Sequence, residues 1–348
     1  KKGKVLCQQV LDSFDQQYNR ELGPLWPRAR EVLLDPHSWQ YAVMLNRFST
    51  VTDITQTLQS QGIFHIPAPS GCISTVCFPS SLQCYIHSYA LRFPSQVHIP
   101  GQLKQYYLLN AASLLPVLAL KVRDGEKILD LCSAPGGKAL VIMQCATPEL
   151  LCCNEPDPHR QKWLTKTLES FLPHSVASRV IVSAHDGRYF GQREVGKYDK
   201  VLVDAPCSND RSWLYSPSSQ QGEQRLKERA MLPVLQAQLL KSALSAVRPG
   251  GVVVYSTCTL SGAENYSVVE TVLKDCPEAE PEDLLEELSV STSKYFTFFK
   301  PGGHTLHGWS HLPQNNIVSS NRNRLGILVV PEPGKAWGPM FLSRIKKK

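Results

Sequence analysis

Residues 129–138 read LDLCSAPGGK, an apolar stretch that ends in a short loop with two adjacent glycines. Glycine lets a backbone turn tightly and approach a ligand closely, and the first N–H groups of a following helix are free to contact it. The loop lacks the glycine spacing of a P-loop and of a dinucleotide fingerprint. It predicts either a ligand-binding turn of another kind or a purely structural strand-to-helix turn.

Strand-like and helical patterns alternate after this point. The predicted strands are KILDLC (127–132), LLCCNE (150–155), RVIVSA (179–184), DKVLVDAP (199–206) and GVVVYSTC (251–258). The helical patterns between or after them cover about 137–145, 157–171, 221–247 and 261–275. Such alternation predicts an α/β fold with a mostly parallel, doubly wound sheet. Two later apolar runs, at 325–331 and 338–345, predict an antiparallel hairpin.

The preceding residues have a different pattern. Apolar residues recur at helical spacing from about 4 to 48, whereas residues 52–100 hold Pro, Gly and Ser clusters typical of loops and short strands. Residues 101–120 predict a helix that leads into the next domain. We therefore predict a mainly helical N-terminal appendage at 1–100, which binds RNA if the chain acts on RNA, and a second domain at 101–348.

Composition narrows the class of protein. The 348 residues carry a formal net charge of +7, which is compatible with a polyanionic partner, and no stretch has the length of a membrane span. The eleven cysteines form no Cys-x-x-Cys pair, which favours a reducing compartment over a disulfide scaffold. Three cysteines within 72–84 are only loosely spaced, and three histidines within 304–311 have no acidic or cysteine companion, so we expect no metal.

Acidic residues follow three of the predicted strands. Ligands of an open parallel sheet bind beyond the carboxyl ends of its strands. Glu155 stands where a carboxylate can accept both hydroxyls of a ribose, and Asp186 is placed to accept an adenine amino hydrogen. Asp204 closes the far side of the same edge. Together with the glycine loop, these residues predict a site for an adenosine-containing ligand.

Two cysteines follow the fourth and fifth predicted strands, in VDAPCS (203–208) and YSTCT (255–259). If these strands are neighbours, Cys207 and Cys258 face one pocket beside the nucleotide loop. A single cysteine in a strand is usually a small buried hydrophobic residue. Two cysteines at adjacent strand ends instead indicate thiol chemistry.

Three motifs in order, LDLCSAPGGK, VDAPCSNDRSW (203–213) and VVYSTCTLSGAEN (253–265), resemble the NSUN (Sun-domain) family of S-adenosylmethionine-dependent RNA cytosine-5 methyltransferases. The resemblance covers about residues 102–345. It implies the Rossmann-like class I methyltransferase fold, with a seven-stranded, mostly parallel sheet and a C-terminal antiparallel hairpin. YYLLNAASLLPVLAL (106–120) and GKAWGPM (334–340) are most like the mitochondrial tRNA members. They imply the wobble cytosine of mitochondrial methionine tRNA as substrate and the mitochondrial matrix as location.

The resemblance also implies which residues bind S-adenosylmethionine. These are Cys132, Ser133, Ala134, Pro135, Gly136, Gly137, Lys138, Glu155, Arg160, Asp186, Gly187 and Asp204. Ser133 stands where the family often has Ala, a small change that leaves the loop intact. Glu155 stands where Asp is more common, so its longer side chain changes the geometry of the ribose contact but not its role.

The two cysteines fit the chemistry of this reaction. Carbon 5 of cytosine is a poor nucleophile until a thiolate adds at carbon 6. After methyl transfer the carbon-5 proton must leave and the thiolate must be expelled, which requires a second group. The family pattern assigns attack to Cys258 and release to Cys207. Asp204 is placed to hydrogen-bond the exocyclic amine and help protonate the base, with support from Lys138.

RNA is the implied partner, and the expected oligomeric state is a monomer. The target base must be unpaired or flipped, which suits the anticodon loop of a structured tRNA. Arg211 is a candidate for phosphate contact and Trp213 for base stacking. The alternative interpretation is that both belong to a helix-entry loop packed on the sheet.

Three other functions remain open. One is methylation of mitochondrial rRNA. Another is methylation of an adenine or an exocyclic amine, which would require an aromatic residue after Pro206, where the chain has Cys207. The third is a non-catalytic RNA-binding assembly factor, which the intact Cys207, Cys258 and Asp204 argue against.

Overall fold

The computed structural model describes residues 5–66, 79–87, 89–216, 222–300 and 324–348. The cysteines at 72 and 77 and the histidine-containing stretch 304–311 lie outside these ranges. Within them, no helix combines the length and the apolar character that a membrane span requires.

The N-terminal part is mainly helical and adds a small antiparallel sheet. In chain order its elements are β1 (Val5–Leu6), α1 (Gln8–Leu22), α2 (Leu25–Leu34), β2 (Ala42–Leu45), α3 (Thr52–Ser60), β3 (Phe64–His65), β4 (Cys84–Ile86) and β5 (Tyr106–Leu109). The sheet has the order β3-β4-β2-β5. Helix α1 is amphipathic, because its buried residues recur at helical spacing. They are Val10, Leu11, Phe14, Tyr18 and Leu22.

The helix predicted over 101–120 is wrong in its first half. Residues Tyr106–Leu109 form strand β5, whose register pairs Leu109 with Ala42 and Tyr106 with Leu45. A short apolar run fits a helix or a strand equally well, and here the tertiary pairing with β2 decides. The domain boundary at 100/101 stays a prediction, although β5 follows it and completes the N-terminal sheet.

The remaining elements alternate between helix and strand. In chain order they are α4 (Leu115–Leu120), β6 (Lys127–Asp130), α5 (Gly137–Cys145), β7 (Leu150–Asn154), α6 (Pro158–Phe171), α7 (His174–Ala177), β8 (Val180–Ser183), α8 (Gly187–Arg193), β9 (Tyr198–Asp204), α9 (Asp210–Trp213), β10 (Tyr215–Ser216), α10 (Gly222–Ala246), β11 (Val247–Thr257), α11 (Tyr266–Asp275), β12 (Ala279–Glu282), α12 (Leu285–Thr292), β13 (Phe298–Phe299), β14 (Ile327–Val329) and β15 (Met340–Lys347).

Except for β10, which pairs with β1 in a separate two-stranded sheet, these strands build one large sheet in the order β13-β14-β15-β11-β9-β6-β7-β8, and β12 also pairs with β15. Strands β11, β9, β6, β7 and β8 are parallel, whereas β14 and β15 form an antiparallel pair and β15 runs antiparallel to β11. The predicted Rossmann-like class I fold with its terminal hairpin is therefore confirmed. The short strands β12 and β13 extend the sheet beyond the predicted seven.

Both faces of the sheet are covered. One apolar cluster joins the sheet to α4, α5 and α6, and the other joins it to α1, α10 and α11. Helix α1 thus packs into the core of the large domain although it comes from the N-terminal part. Because the central strands are parallel, the carboxyl ends of β6, β7, β9 and β11 lie along one edge, where the predicted site residues occur.

Candidate active site

The glycine loop connects β6 to α5 and has little room for side chains. Gly136 has a φ of +104°, a conformation that L residues rarely adopt, and a Cβ there would lie 3.1 Å from Leu164. A Cβ on Gly137 would lie 3.2 Å from the ring of Tyr107. Helix α5 begins at Gly137, so the N–H groups of its first turn are directed at the same edge of the sheet. The geometry fits the predicted ligand-binding turn.

Asp130, at the end of β6, carries a carboxyl group that the sequence interpretation missed. Its Oδ2 accepts a hydrogen bond of 2.8 Å from Ser133 Oγ, while its buried Oδ1 has no hydrogen-bond partner among the described residues. Burial raises the pKa of Asp130 to about 7, despite the opposing effect of the Ser133 bond. Asp130 lines a cavity of about 220 Å³ together with Cys132, Lys138 and other residues. The sequence signal that could have identified Asp130 is an acidic residue within an otherwise apolar strand.

Glu155 is buried at the end of β7 and is connected to the glycine loop. Its Oε2 lies 3.3 Å from Nη2 of Arg160, and its Oε1 accepts a hydrogen bond of 3.1 Å from the backbone N–H of Asp157. The same Arg160 Nη2 donates to the carbonyl of Ala134. The structure therefore brings three of the predicted cofactor-binding residues together.

Asp186 lies just before α8, at the end of the next strand. Both of its carboxylate oxygens pair with Arg188, with a shortest distance of 2.6 Å. This hydrogen bonding lowers the pKa of Asp186, so the group is ionised at neutral pH. A Cβ on Gly187 would lie 2.7 Å from Leu239, so the packing of α8 against α10 favours glycine at this position. Contact of Asp186 with adenine stays a prediction.

Lys138 and Asp204 form an ion pair between α5 and the end of β9. Lys138 Nζ donates to Asp204 Oδ2 at 2.7 Å, and Ser256 Oγ donates to the other oxygen at 2.9 Å. Burial alone would lower the pKa of Lys138, but the adjacent Asp204 carboxylate outweighs this effect and raises it. Lys138 is therefore a fixed positive charge in the cavity, and Asp204 is held in one orientation.

The two predicted cysteines meet. Cys207 Sγ and Cys258 Sγ lie 3.2 Å apart, and the backbone N–H of Cys258 donates to Cys207 Sγ at 3.3 Å. A disulfide would require about 2.05 Å, so both are thiols. The hydrogen bond to Cys258, followed by burial, raises the pKa of Cys207 well above its usual range. Cys207 is thus held as a protonated thiol at neutral pH.

A buried polar network fixes the loop that carries Cys207. Glu264 accepts hydrogen bonds from the backbone N–H and the Oγ of Ser208, at 2.9 and 2.6 Å. Gln236 of α10 donates both to Glu264, at 3.1 Å, and to the carbonyl of Pro206, at 2.8 Å. Arg229, also on α10, lies 3.5 Å from Glu264 and balances its charge. The loop before α9 is therefore connected to the loop that follows Cys258.

The second half of this network reaches the N-terminal helix. Asp210 accepts from Tyr18 Oη and Thr259 Oγ1, both at 3.0 Å, and from the backbone N–H of Leu260 at 2.6 Å. Arg229 donates to Tyr18 Oη at 2.7 Å. Helix α1 thus supports the cysteine loops through one buried tyrosine. Tyr18, Asp210 and Glu264 had no motif-level signal, because their partners are far apart in sequence.

The two predicted RNA contacts are used inside the protein. Arg211 donates to the carbonyls of Ala336 and Gly338, and its guanidinium lies 4.9 Å from the ring centroid of Trp39. Trp213 is half-buried against the apolar cluster around α1 and α10. Contact with phosphate by Arg211 would require both carbonyl bonds to break, so the geometry favours the packed-loop alternative. No group of three or more potential metal ligands occurs in the described part of the chain.

Comparison with known proteins agrees with the motifs. The family model described as "16S rRNA methyltransferase RsmB/F" matches residues 117–310. The "tRNA (cytosine(34)-C(5))-methyltransferase, mitochondrial" of Danio rerio is 53% identical over 99% of this chain and 89% of its own length. The "5-cytosine rRNA methyltransferase NSUN4" of Bos taurus is 37% identical over 97% of this chain and 88% of its own length.

A solved structure gives the same fold. The crystal structure described as "NSun6 from Pyrococcus horikoshii with SFG" superposes with a TM-score of 0.63 over 98% of both chains, at 14% sequence identity. At this identity the likeness concerns the fold alone. The family model and the relatives go further, and the chain belongs to the RsmB/F family, the NSUN or Sun-domain family of RNA cytosine-5 methyltransferases.

Proposed function

We infer that this protein transfers a methyl group from S-adenosylmethionine to carbon 5 of cytosine 34 in a mitochondrial tRNA, with methionine tRNA as the substrate. The observation that carries the reaction type is the pair of thiols 3.2 Å apart beside the Lys138–Asp204 ion pair. The choice of tRNA rests on the 53% identity to the Danio rerio enzyme, whose name gives both the modified position and the mitochondrion. The protein acts as a monomer on the anticodon loop.

The residues at the strand ends suit the cofactor. The glycine loop with its tight approach, the buried Glu155 and the unpartnered Asp130 oxygen form a polar cradle that a ligand completes. A family structure was solved with SFG, an S-adenosylmethionine analogue. When bound, the cofactor supplies an electrophilic methyl group. Residues 132–138, Glu155, Arg160 and Asp186 hold it, Gly187 keeps the backbone close, and Asp204 borders the transfer site.

Cys258 is the nucleophile, because it occupies the Thr257-Cys258 motif to which the family pattern assigns the attack, and its sulfur lies 3.2 Å from that of Cys207. The Cys258 thiolate forms a bond from its sulfur to carbon 6 of the cytosine, and the electrons of the ring double bond make carbon 5 nucleophilic. Lys138 and Asp204 form an ion pair and line the same cavity as the cofactor loop. Asp204 orients the base by accepting a hydrogen bond from the exocyclic amine of the cytosine. The fixed positive charge of Lys138 stabilises negatively charged groups in the cavity.

Release follows from the same geometry. The largest cause of the raised Cys207 pKa is its hydrogen bond to Cys258. Once the Cys258 sulfur is bonded to carbon 6 it no longer presents a thiolate, so Cys207 releases its own proton to solvent and, as a thiolate, takes the carbon-5 proton. The electron pair of the broken C–H bond restores the ring double bond and expels Cys258 as a thiolate. Each cysteine thus acts in turn, and neither replaces the other.

The test is transfer of labelled methyl from S-adenosylmethionine to tRNA anticodon stem-loops and to mitochondrial rRNA hairpins. We expect wild type to label the methionine stem-loop, Cys258→Ala to lose at least about 10³-fold in rate, and Cys207→Ala to accumulate a covalent RNA adduct. Cys276→Ala, a cysteine on another part of the surface, serves as the control. Labelling that survives Cys258→Ala would overturn the assignment of the nucleophile.

The choice of RNA has one competing candidate. The 37% identity to the Bos taurus rRNA methyltransferase favours an rRNA hairpin as the second possibility. Preferential labelling of an rRNA hairpin would replace the tRNA proposal while keeping the two-cysteine mechanism. Binding of RNA with no methyl transfer to any member of the panel would instead support the non-catalytic assembly factor.

A further inference from the structure

A second cavity adjoins the active-site cavity. It has a volume of about 420 Å³ and lies between α6, strand β5 and the segment 92–96. Tyr107, Leu108 and Pro135 line both cavities, so the two are neighbours across the strand that the N-terminal sheet places against the glycine loop. None of the motifs accounts for this second cavity.

The charges that line it are all positive. Arg92, Lys104 and Lys166 contribute to its wall, and no aspartate or glutamate does. Among the described residues, none of these three cations lies within ion-pair distance of a carboxylate, whereas most cations of α10 and of the sheet edge are paired. Unpaired cations gathered around a cavity favour an anionic ligand with several charges.

Aromatic side chains supply the rest of the chemistry. Trp163 of α6 is 63% exposed, which is unusual for so large an apolar ring. The guanidinium of Arg92 lies 4.8 Å from the ring centroid of Tyr41, so the two already form a stacked pair at the rim. Exposed rings and cations that alternate along a groove are the usual surface for unpaired nucleotides, since rings stack on bases and cations contact phosphates.

We propose that this cleft, lined by Tyr41, Arg92, Lys104, Tyr107, Trp163 and Lys166, binds the single-stranded RNA nucleotides that flank the target cytosine. The proposal rests on the proposed function, because the shared wall places the cleft next to the cavity lined by the cofactor loop and by Asp204, the residue proposed to orient the base. Trp163 stacks on a flanking base, while Lys104 and Lys166 contact the phosphates on either side. This surface takes over the role that the sequence interpretation gave to Arg211 and Trp213.

The test measures binding and methylation of an unmodified mitochondrial methionine tRNA transcript by full-length variants. For Trp163→Ala and for Lys166→Ala we expect weaker RNA binding, with a roughly tenfold higher dissociation constant. Lys166→Ala should also lower the slope of log affinity against log salt by about 0.7. Lys166→Arg should bind as wild type does. Lys227→Ala, which removes a highly exposed lysine of α10, is the matched control and should change the affinity little.

The outcomes separate this proposal from the proposed function. If wild type methylates the transcript and both cleft variants bind it with unchanged affinity and salt dependence, the cleft proposal is wrong and the function stands. If wild type methylates no RNA, the proposed function fails. The RNA affinities of the cleft variants alone then show whether the cleft binds RNA. The S-adenosylmethionine dissociation constant should stay the same in every variant, and a parallel loss of cofactor binding would overturn the assignment of the cleft to RNA.

Discussion

The carboxyl ends of β9 and β11 and those of β6 and β7 lie along one edge of the sheet, yet they are built differently. Behind Cys207 and Cys258, buried carboxylates, hydroxyls and a guanidinium are bonded to one another in a continuous network. Around the glycine loop, Gly136 has a positive φ that residues with a Cβ rarely adopt, and a buried oxygen of Asp130 has no partner among the described residues.

This contrast separates the polar groups that the protein satisfies by itself from those that a ligand must satisfy. A nucleophile has to be placed within a fraction of an ångström, and buried hydrogen bonds to fixed partners achieve this before any substrate arrives. A site for an exchangeable cofactor instead leaves polar groups that the ligand satisfies. Substitutions in the first region should therefore act mainly on stability and rate, and substitutions in the second on ligand binding and pH dependence.

The largest effect should come from Glu264→Ala. This change leaves Arg229 buried without its carboxylate and releases both bonds to Ser208, so we expect a loss of about 3 to 5 kcal/mol in the free energy of unfolding. Chemical denaturation measures it. Glu223→Ala removes an exposed glutamate of α10 as control. Equal losses of unfolding free energy in the two variants would contradict the larger contribution that we assign to the buried network.

Asp130 should make stability depend on pH. Its pKa is about 7 in the folded state against 3.8 in the unfolded state, so stability is retained below pH 4 and is lost as the pH rises to 7. Asp130→Asn should then be more stable than wild type above pH 7, by up to about 4 kcal/mol. Bound S-adenosylmethionine, which carries positive charges, should reduce the difference in stability between Asp130→Asn and wild type.

Urea denaturation between pH 4 and 8 checks this prediction, and Asp199 supplies the control. Burial would raise the pKa of Asp199, but bonds from the Lys127 N–H and Arg248 outweigh it and lower the pKa. The stability that Asp199 contributes is therefore already fully present above pH 4, so the difference between Asp199→Asn and wild type should stay nearly constant from pH 4 to 8. Parallel pH profiles for the two variants would contradict the assignment to Asp130.

Tyr18→Phe should have a smaller effect. It removes one hydroxyl that donates to Asp210 and accepts from Arg229, while the ring keeps its packing, so we expect a cost of about 1 to 3 kcal/mol. The maximal rate of methyl transfer should fall more than the RNA dissociation constant changes. Tyr89→Phe, at an exposed tyrosine, controls for the loss of a hydroxyl. A variant as active as wild type would show that α1 does not position the cysteine loops.

The smallest effect concerns the glycine loop. Gly136→Ala and Gly125→Ala both place a Cβ at positive φ, but only at position 136 does that Cβ meet neighbours, at 3.1 and 3.2 Å. We expect Gly136→Ala to be about 1 kcal/mol less stable than Gly125→Ala. It should also bind S-adenosylmethionine more weakly. Equal cofactor affinity in the two variants, measured by calorimetry, would mean that the loop tolerates displacement.

Sequence patterns predicted the α/β fold, the glycine loop and the meeting of Cys207 with Cys258. These predictions succeed because strand periodicity and the parallel topology together determine which strand ends share an edge. The same reasoning failed for residues 106–109, where pairing with β2 overrides an ambiguous local pattern. The contacts of the predicted cofactor-binding residues with S-adenosylmethionine stay predictions, and the internal contacts of Arg211 and Trp213 favour the packed-loop interpretation.

The support behind the site was beyond sequence reasoning for a physical reason. Tyr18 and Asp210 are bonded although they are 192 positions apart, and Glu264 is connected to α10 through Arg229 and Gln236. No local period encodes such contacts, because they depend on how α1 and α10 pack after the sheet has formed. The cleft around Trp163 was missed for the same reason, since its wall combines α6 with the N-terminal sheet.

Strand β15 lies between β14 and β11, so the strand that leads to Cys258 receives its second neighbour from residues 340–347. The ribosome synthesises β11 well before the residues of β15 are available to pair with it. Until then the valines at 252–254 offer an unpaired hydrophobic edge to other nascent chains. The yield of folded protein should therefore depend on how long that edge stays exposed during synthesis, whatever the chemistry of the thiols.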